Sequence, residues 1–474
     1  MPLILPGNVA SATADAGFNV DNSCRFDGTS SCMEKDQGTA TDTDKFTMSF
    51  WIKKCSNGAY RNVMQGMGGG TDYTTCTFNS SDQMDFGNRQ GGHVGRLVTT
   101  RVFRDPAAWY HFVCVWDSGN ATAGNRMRMY VNGVEETAFA TDTNPAEDET
   151  PATASGDKIH VGAHNASGYF WDGYMAEVYF CDGQAYAASD FGEFDEDSPT
   201  IWKPKDASGD LTFGNNGFYL DFKASDNLGN DANGGTDLAE TGLDAADQAT
   251  DSPTNNFCTM NPLDDYFQSS DFAEGNCKIT TDNGTYNTST FGLSSGKWYM
   301  ECEMDYDAGV GDYWRIGIVD RPSTGVNVQF GAHPNSYAAD QGSVIQSGTN
   351  STFGAPFVDG DIISIALDLD NNTIAWAKDG AYGGGVGSGT WSGSLSATHS
   401  ITAPASTLNG HYFIAGGAND ETSGGYRMLY NFGGCSPFDV SSGNADENGY
   451  GNFEFAVPSG YLAICTKNLG SDGG

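Results

Sequence analysis

Short runs of alternating apolar and polar residues, broken by Gly, Asn and Asp, recur along the whole chain, and no stretch sustains a helical period. The clearest run is IISIALDLDNNTIAWAKDG, residues 362–380, where two alternating segments meet at Asn371-Asn372, a pair that tolerates the positive φ angles of a two-residue hairpin turn. That register sets Leu369 opposite Ile374 and Leu367 opposite Trp376 on one face, with Asp368, Asp370 and Thr373 on the other. It predicts a hairpin with one buried side. In the first half, FTMSFWIKK places Phe46, Met48, Phe50 and Ile52 on one face, and WYHFVCVWD, residues 109–117, is apolar on both faces, as a central strand would be. RMRMYVNGVEE reads as a strand ending in a hairpin at Asn132-Gly133. A later strand has Tyr174, Ala176, Val178 and Phe180 facing one way. The class these patterns predict is all-β, built from antiparallel sandwiches.

The chain has 474 residues, and 28 Phe, 21 Tyr and 9 Trp supply bulk for more than one core. Residues 1–22 read as an extended arm whose apolar Leu3, Ile4 and Leu5 are expected to dock on a partner. Residues 23–200 form a first β-rich unit. Residues 201–265 shift towards Asp, Asn, Gly, Ala and Thr and read as a connector packing partly on the first unit. Residues 266–440 form a second β-rich unit with strand signals at 296–305, 313–322, 411–417 and 428–434. The apolar residues of the C-terminal segment, 441–474, are expected to close the second unit or meet a neighbouring subunit.

Charge removes several function classes. With 61 acidic against 23 basic residues the net charge is -38, which repels phosphate backbones and anionic bilayers. Nucleic acid and membrane insertion are not expected, and no apolar run approaches the ~20 residues that span a bilayer. The opening segment lacks a basic n-region. Eleven cysteines without C-x-x-C spacing indicate neither a zinc ribbon nor a disulfide framework; Cys114 and Cys302, inside apolar strand runs, read as buried thiols of a protein folded in a reducing cytoplasm, although Cys24 and Cys32 could still pair.

Four motifs in residues 24–180, namely Phe46 to Lys53, Trp109 to Asp117, Met129 to Gly133 and Gly173 to Phe180, resemble in order those of LamG-type domains, the concanavalin A-like jelly roll. In the second unit, Gly296 to Asp305, the long run from Gly360-Asp361 through Lys378-Asp379-Gly380, and the Asn431-Phe432-Gly433 turn resemble a SPRY domain. That resemblance implies another two-sheet sandwich, one that binds partners through loops. NGFYLDF, LGNDA, DSPTNNF and NPLD in the connector look like a segment of virion proteins of marine tailed phages, where it joins a LamG-like sandwich to a second β-domain. A segment like Pro458 to Leu462 and Cys465 to Leu469 often follows in those proteins.

Catalytic signatures are weak. The concanavalin A-like fold also houses glycan hydrolases, whose retaining members need two carboxylates about 5 Å apart. Glu301-Cys-Glu303-Met-Asp305 and Glu193-Phe-Asp195 come nearest to an E-x-D-x-x-E strand, with Ala308 and Ser198 where the last Glu is needed. In FGLSSGKW, Trp298 replaces the Ser or Thr of a phosphate loop. His160 and His164 read as two exposed histidines without a third metal ligand, and Asp368 and Asp370 as hairpin residues rather than a calcium loop.

The loop at 165–173, NASGYFWDG, is the sharper candidate. Asn165 and Asp172 could orient hydroxyls while Tyr169 and Trp171 offer faces for a sugar. Against that stands the reading in which Phe170 and Trp171 plug the end of the sandwich. No cofactor is expected, except that the LamG resemblance leaves open a calcium ion at Asp117, Asn165 or Asp172. The combined expectation is a non-enzymatic protein of a tailed-phage virion, such as a tail fibre, appendage or decoration protein, folded in the host cytoplasm. It would assemble with other virion proteins through Leu3 to Leu5, form a homo-oligomer, and bind a host glycan or protein through loops. A free lectin and a polysaccharide-degrading enzyme are the alternatives.

Overall fold

A computed structural model describes residues 17–154, 156–265, 270–281, 286–306, 314–323, 330–340, 343–352, 354–383, 390–391, 394–396, 398–418 and 426–472. Leu3, Ile4 and Leu5 lie outside the described residues. Nearly all regular structure is β, and the described chain divides into two compact units, Thr13–Asn255 and Asn256–Gly474.

The Thr13–Asn255 unit is a sandwich of two eight-stranded antiparallel sheets. One runs Val134–Glu135, Met127–Val131, Trp109–Asp117, Lys45–Lys54, Asp172–Asp182, Ser23–Asp27, Gln248–Ala249, with Phe218–Leu220 also paired to Asp172–Asp182. The other runs Phe139–Thr143, Gly92–Thr99, Met84–Gln90, Tyr73–Phe78, Arg61–Met67, Lys158–Val161, Cys32–Asp36, Ala239–Thr241. Phe46, Met48, Phe50 and Ile52 all enter the core between the sheets. There Phe46 meets Phe86 edge-on at 6.2 Å and stacks on Trp116 at 6.2 Å. Burying each such side chain contributes about 1.5–3 kcal/mol. Trp109–Asp117 is the central strand its two apolar faces predict, with Val113 and Val115 packed under an outer layer that includes Phe191 and Phe213. Asn132 and Gly133, at φ 48° and 78°, make the two-residue hairpin.

The face expected for Tyr174, Ala176, Val178 and Phe180 is split by a β-bulge. Glu177 takes φ 49°, and the register shifts between Ala176 and Tyr179. Met175, Val178 and Phe180 therefore point into the core, while Ala176 and Tyr179 point outward. Glu177 is itself buried, and its carboxylate accepts hydrogen bonds from the hydroxyls of Tyr179 (2.6 Å) and Tyr219 (2.9 Å). Burial outweighs those bonds and pushes its carboxyl up to about 7.

Within residues 201–265, read as a connector, Phe218–Leu220, Ala239–Thr241 and Gln248–Ala249 join the two large sheets of this unit, and Trp202–Pro204 pairs with Gly192–Phe194. At the other end, Val20 is buried against Trp51 and Ala176 and shares two hydrogen bonds with Thr254. Cys24 and Cys32 lie in different sheets and do not pair, and all eleven cysteines are buried thiols.

The second unit is also a sandwich. Its larger sheet runs Asp271–Ala273, Lys278–Thr281, Tyr426–Asn431, Lys297–Tyr306, Ile362–Asp368, Thr373–Lys378, Ala381–Tyr382. The facing sheet runs Tyr286–Thr288, Phe413–Ala418, Trp314–Val319, Ser336–Asp340, Ser343–Gln346, Thr349–Thr352. Trp376 donates its indole N–H to the Ile316 carbonyl across the core (3.1 Å).

The 362–380 hairpin forms two residues out of the expected register. Leu367 pairs with Ile374, Ile365 with Trp376 and Asp368 with Thr373, leaving a four-residue loop, 369–372. Asp368 causes the shift by accepting both the backbone N–H (2.9 Å) and the side-chain amide (2.8 Å) of Asn371. A two-residue slip preserves the parity of the faces, so Leu367, Ile374 and Trp376 still enter the core.

The hairpin's second face is buried as well. Ala366 and Ala375 pack with Tyr299, Phe453, Tyr461 and Ala463, so the C-terminal segment closes this unit. Leu462–Ala463 pairs in parallel with Lys297–Tyr306. Glu301 holds the same segment, accepting the N–H groups of Glu454 (2.9 Å) and Phe455 (2.8 Å) and the Tyr299 hydroxyl (2.9 Å). Among the described residues no helix is long and apolar enough to cross a membrane.

Candidate functional site

The site is built on the outer face of the second sheet of the Thr13–Asn255 unit. Met64, Cys76, Phe86 and Leu97 point into the core, so the pleat turns the cross-strand row Gln65, Thr75, Gly87 and Arg96 outward. Tyr73 shares this face two residues before Thr75. Across it lies a ridge of rings. Tyr60 and Tyr169 approach to 5.5 Å with planes at 46°, Tyr169 meets His164 edge-on at 5.6 Å, and His164 meets Tyr73 edge-on at 5.3 Å. The Arg89 guanidinium sits 6.0 Å from the Tyr73 centroid. Tyr60 is 48% and Tyr169 54% exposed, so their faces are open at one end of the ridge.

A strained loop holds the ridge in place. Asn165, Ala166 and Tyr169 adopt φ 52°, 49° and 49°, a conformation that side-chain-bearing residues keep only where surrounding contacts impose it. Here the contacts are hydrogen bonds to one strand. The Tyr169 carbonyl accepts the Asn62 backbone N–H (2.7 Å), the Ala163 carbonyl accepts the Asn62 side-chain amide (2.7 Å), and the Gln65 side chain accepts the Asn165 N–H (2.7 Å). Below them Thr75 donates to Asn62 Oδ1 (2.5 Å).

The charged groups around the ridge are matched within the protein. Arg96 grips Asp85 through Nε (3.0 Å) and Nη2 (2.5 Å), which raises the guanidinium pKa further. Arg89 donates to the Thr71 carbonyl (2.8 Å). Arg61 donates to the carbonyls of Gly28 (2.8 Å) and Phe170 (2.9 Å), to Ser56 Oγ (3.2 Å), and to Asp172 (3.3 Å). Burial lifts the Asp172 carboxyl, and Arg61 opposes that rise. Gly87 leaves the floor of the face flat, since a Cβ there would sit 3.4 Å from Arg96 and 3.6 Å from Asp85 and His93.

The sequence-derived candidates separate on this geometry. Tyr169 and Asn165 are exposed at the ridge, whereas Trp171 is fully buried in the core against Phe78 at 5.8 Å and presents no face to a ligand. Asp172 faces Arg61, not solvent. Asp117 and Asp172 lie at opposite ends of the Lys45–Lys54 strand, where Lys45 pairs with Asp117 and Lys54 with Gly173. Nine residues at about 3.3 Å each keep the two carboxylates roughly 30 Å apart, so one ion cannot use both. The donor set expected of a cation, two carbonyls and a carboxylate, is filled at Asp172 by the Arg61 guanidinium.

The two histidines separate as well. His160 is 2% exposed in its strand, contrary to the expectation of two exposed histidines, and His164 belongs to the ridge. Glu193 and Asp195 pair with Lys203 (3.6 and 3.4 Å). Sequence reasoning missed Tyr60 and Tyr73. The alternating run from Tyr73 to Thr77 marks its odd positions as one face, but nothing local reveals that Tyr60 meets a loop more than a hundred residues later.

Residues 27–188 match the family model Laminin_G_3, described as the concanavalin A-like lectin/glucanases superfamily. No curated protein matches the chain. Among solved structures, the SPRY domain of human HERC1 is 13% identical, covering 38% of this chain and 99% of that one, with a TM-score of 0.27. A heptameric SAP-like pentraxin from Limulus polyphemus is 16% identical over 35% of this chain and 78% of its own, with a TM-score of 0.27. A protein from Bacteroides ovatus described, provisionally, as carbohydrate binding is 14% identical over 47% of this chain and 58% of its own, with a TM-score of 0.31.

Proposed function

We propose that this chain is a non-enzymatic binding protein that holds glycans on the Tyr60–Tyr169 ridge. The observation that carries the reading is the pair of half-exposed tyrosines, fixed by a strained loop on the outer face of a sheet within the lectin-fold region. Tyrosine faces stack on the C–H face of a sugar while the side chain loses little conformational freedom, and Asn165 supplies a neighbouring amide for hydroxyls. Titration of the full chain with neutral oligosaccharides tests this. Tyr169→Ala should lower affinity about tenfold, equivalent to about 1.4 kcal/mol, with the fold intact by circular dichroism. Unchanged binding would remove the ridge from the site.

The setting we infer is the surface of a tailed-phage virion, as fibre, appendage or decoration protein. Its support is the resemblance of NGFYLDF, LGNDA, DSPTNNF and NPLD to the segment joining two β-domains in such proteins, together with the tandem sandwiches. In this setting Leu3, Ile4 and Leu5 bind other virion proteins, the chain acts as a homo-oligomer, and it is made in the host cytoplasm. Removing residues 1–16, which leaves Val20 in place, should abolish recovery of the protein in purified particles. Normal recovery would refute a role for Leu3 to Leu5 in assembly. A free lectin would be absent from particles. An enzyme would release sugar from polysaccharide and lose that activity in Glu303→Gln.

A further inference from the structure

Lys53 lies on the outer face of the first sheet of the Thr13–Asn255 unit, because its neighbour Ile52 enters the core. Cross-strand register places Tyr174 and Trp109 on either side of it, so the row Tyr174, Lys53, Trp109 runs over three adjacent strands. Near the end of the unit the chain passes back over this row. Ser23 Oγ donates to the Asp251 carbonyl (2.6 Å), Val20 pairs with Thr254, and the side chains of Lys53 and Asp251 are left 0% and 1% exposed. In that closed space Lys53 Nζ is 2.7 Å from Asp251 Oδ2 and the Trp109 indole N–H donates to Asp251 Oδ1 (2.9 Å). The Tyr174 ring centroid is 5.8 Å from Nζ.

An ion pair sealed from water in this way loses the hydration of both charges, and conversion to neutral groups removes that penalty. Burial also raises the Asp105 carboxyl, against the Ala107 N–H and the nearby Lys53 charge, so a proton can be held beside the pair. The neighbouring Lys54–Asp82 pair is the contrast. It is as deeply buried, but the Arg104 guanidinium (2.8 Å) and the Gly58 N–H (2.8 Å) also bond to Asp82. Against burial, those bonds and the one from Lys54 hold the Asp82 carboxyl below its usual range, ionised and a poor acceptor for an amine.

We propose that Lys53 and Asp251 condense in the folded protein to an isopeptide bond, which ties the Lys45–Lys54 strand to the segment that ends this unit. The Lys53 ammonium passes a proton along its hydrogen bond to Oδ2. The freed Nζ lone pair attacks Cγ and forms the N–C bond, while the Trp109 N–H holds the charge that builds on Oδ1. A second proton moves from nitrogen to Oδ2, the Cγ–Oδ2 bond breaks, and one water leaves. Ammonium and carboxylate thus become amide and water, with charge balanced and no further reactant. Holding the two groups in contact supplies the proximity that free side chains lack. The link spans 198 residues and owes nothing to redox conditions, in a unit whose cysteines are all thiols.

The test is mass spectrometry of the full chain, purified folded and then denatured. The intact mass should be one water below that of the sequence, and proteolysis should yield a branched peptide joining the segments around Lys53 and Asp251. Lys53→Arg and Asp251→Ala should each restore the full mass and lose the branched peptide. An intact mass equal to that of the sequence overturns the proposal. So does a lost water with Lys53 and Asp251 recovered in separate unbranched peptides, or a branch to Asp82 instead. The peptide map of the parent protein decides the matter even where a variant fails to fold.

Discussion

Replacing Glu177 by Gln separates the cost of burying a carboxylate from the value of its hydrogen bonds. Burial pushes the Glu177 carboxyl up to about 7 from the ordinary 4.5 of a glutamate, while the hydroxyls of Tyr179 and Tyr219 pull the other way. Between those values the folded state keeps a proton that the unfolded chain has released. Stability from this group is therefore full below about pH 4.5, falls as pH rises through the window, and is flat above about 7. At about 1.4 kcal/mol per pH unit the loss is about 3 kcal/mol. His111 works in the opposite sense. Burial lowers it to about 3, so the folded state resists protonation and stability drops as pH falls below about 6.5.

The two effects oppose each other over the acid half of the window, and the wild-type profile alone would hide both. The informative quantity is the difference between the wild type and Glu177→Gln, in which His111 cancels. Denaturant unfolding of the full chains, followed by the fluorescence transition assigned to the first unit, should show the variant gaining about 3 kcal/mol on the wild type between about pH 4 and about pH 8. Parallel profiles would refute the reasoning. They would mean that the two tyrosine hydroxyls outweigh burial and keep Glu177 ionised across the range.

Further perturbations divide structural from binding residues. Trp171→Ala should cost about 3–5 kcal/mol by leaving a cavity beside Phe78, while Tyr169→Ala, two residues away, should change thermal stability by no more than about 0.5 kcal/mol. Arg61→Ala removes the cation from two carbonyls and Asp172, and a loss of about 2–3 kcal/mol in chemical denaturation is expected. Glu301→Ala frees the N–H groups of Glu454 and Phe455 and should speed limited proteolysis near residues 450–456, with the first unit unaffected.

Alternation carried the fold because a period of two survives any even slip. The 362–380 hairpin moved by two residues and kept every core side chain inward, so its class and core were legible while its turn was not. Asp368 decided the turn by side-chain bonds that compete with the Asn-Asn signal. A bulge is different, since one extra residue inverts everything beyond it, and Glu177 is neither Gly nor Asn, the residues that advertise positive φ. In residues 201–265 the run 217–222 reads as a strand and Phe218–Leu220 forms one, whereas the strand at 239–241 is too short to show a period. At the site, the NASGYFWDG loop was legible as aromatic and polar, but which ring faced solvent depended on the left-handed conformations at Asn165, Ala166 and Tyr169. Those turn Trp171 into the core and leave Tyr169 out.

Electrostatics gives the binding reading a sharper edge. A chain of net charge -38 could still hold an acidic glycan if its cations gathered at the site. At the ridge they are committed instead: Arg96 to Asp85, Arg61 to Asp172 and two carbonyls, and Arg89 to Thr71. Ligand affinity should then come from stacking and neutral hydrogen bonds, which salt does not screen. Raising ionic strength from about 0.1 M to about 1 M shortens the Debye length from about 10 to about 3 Å. Binding of a neutral oligomer should change less than about twofold over that range, against the steep loss that released counterions impose on a polyanion. A strong salt dependence would show that one of these arginines leaves its protein partner for the ligand, and the neutral assignment would fall.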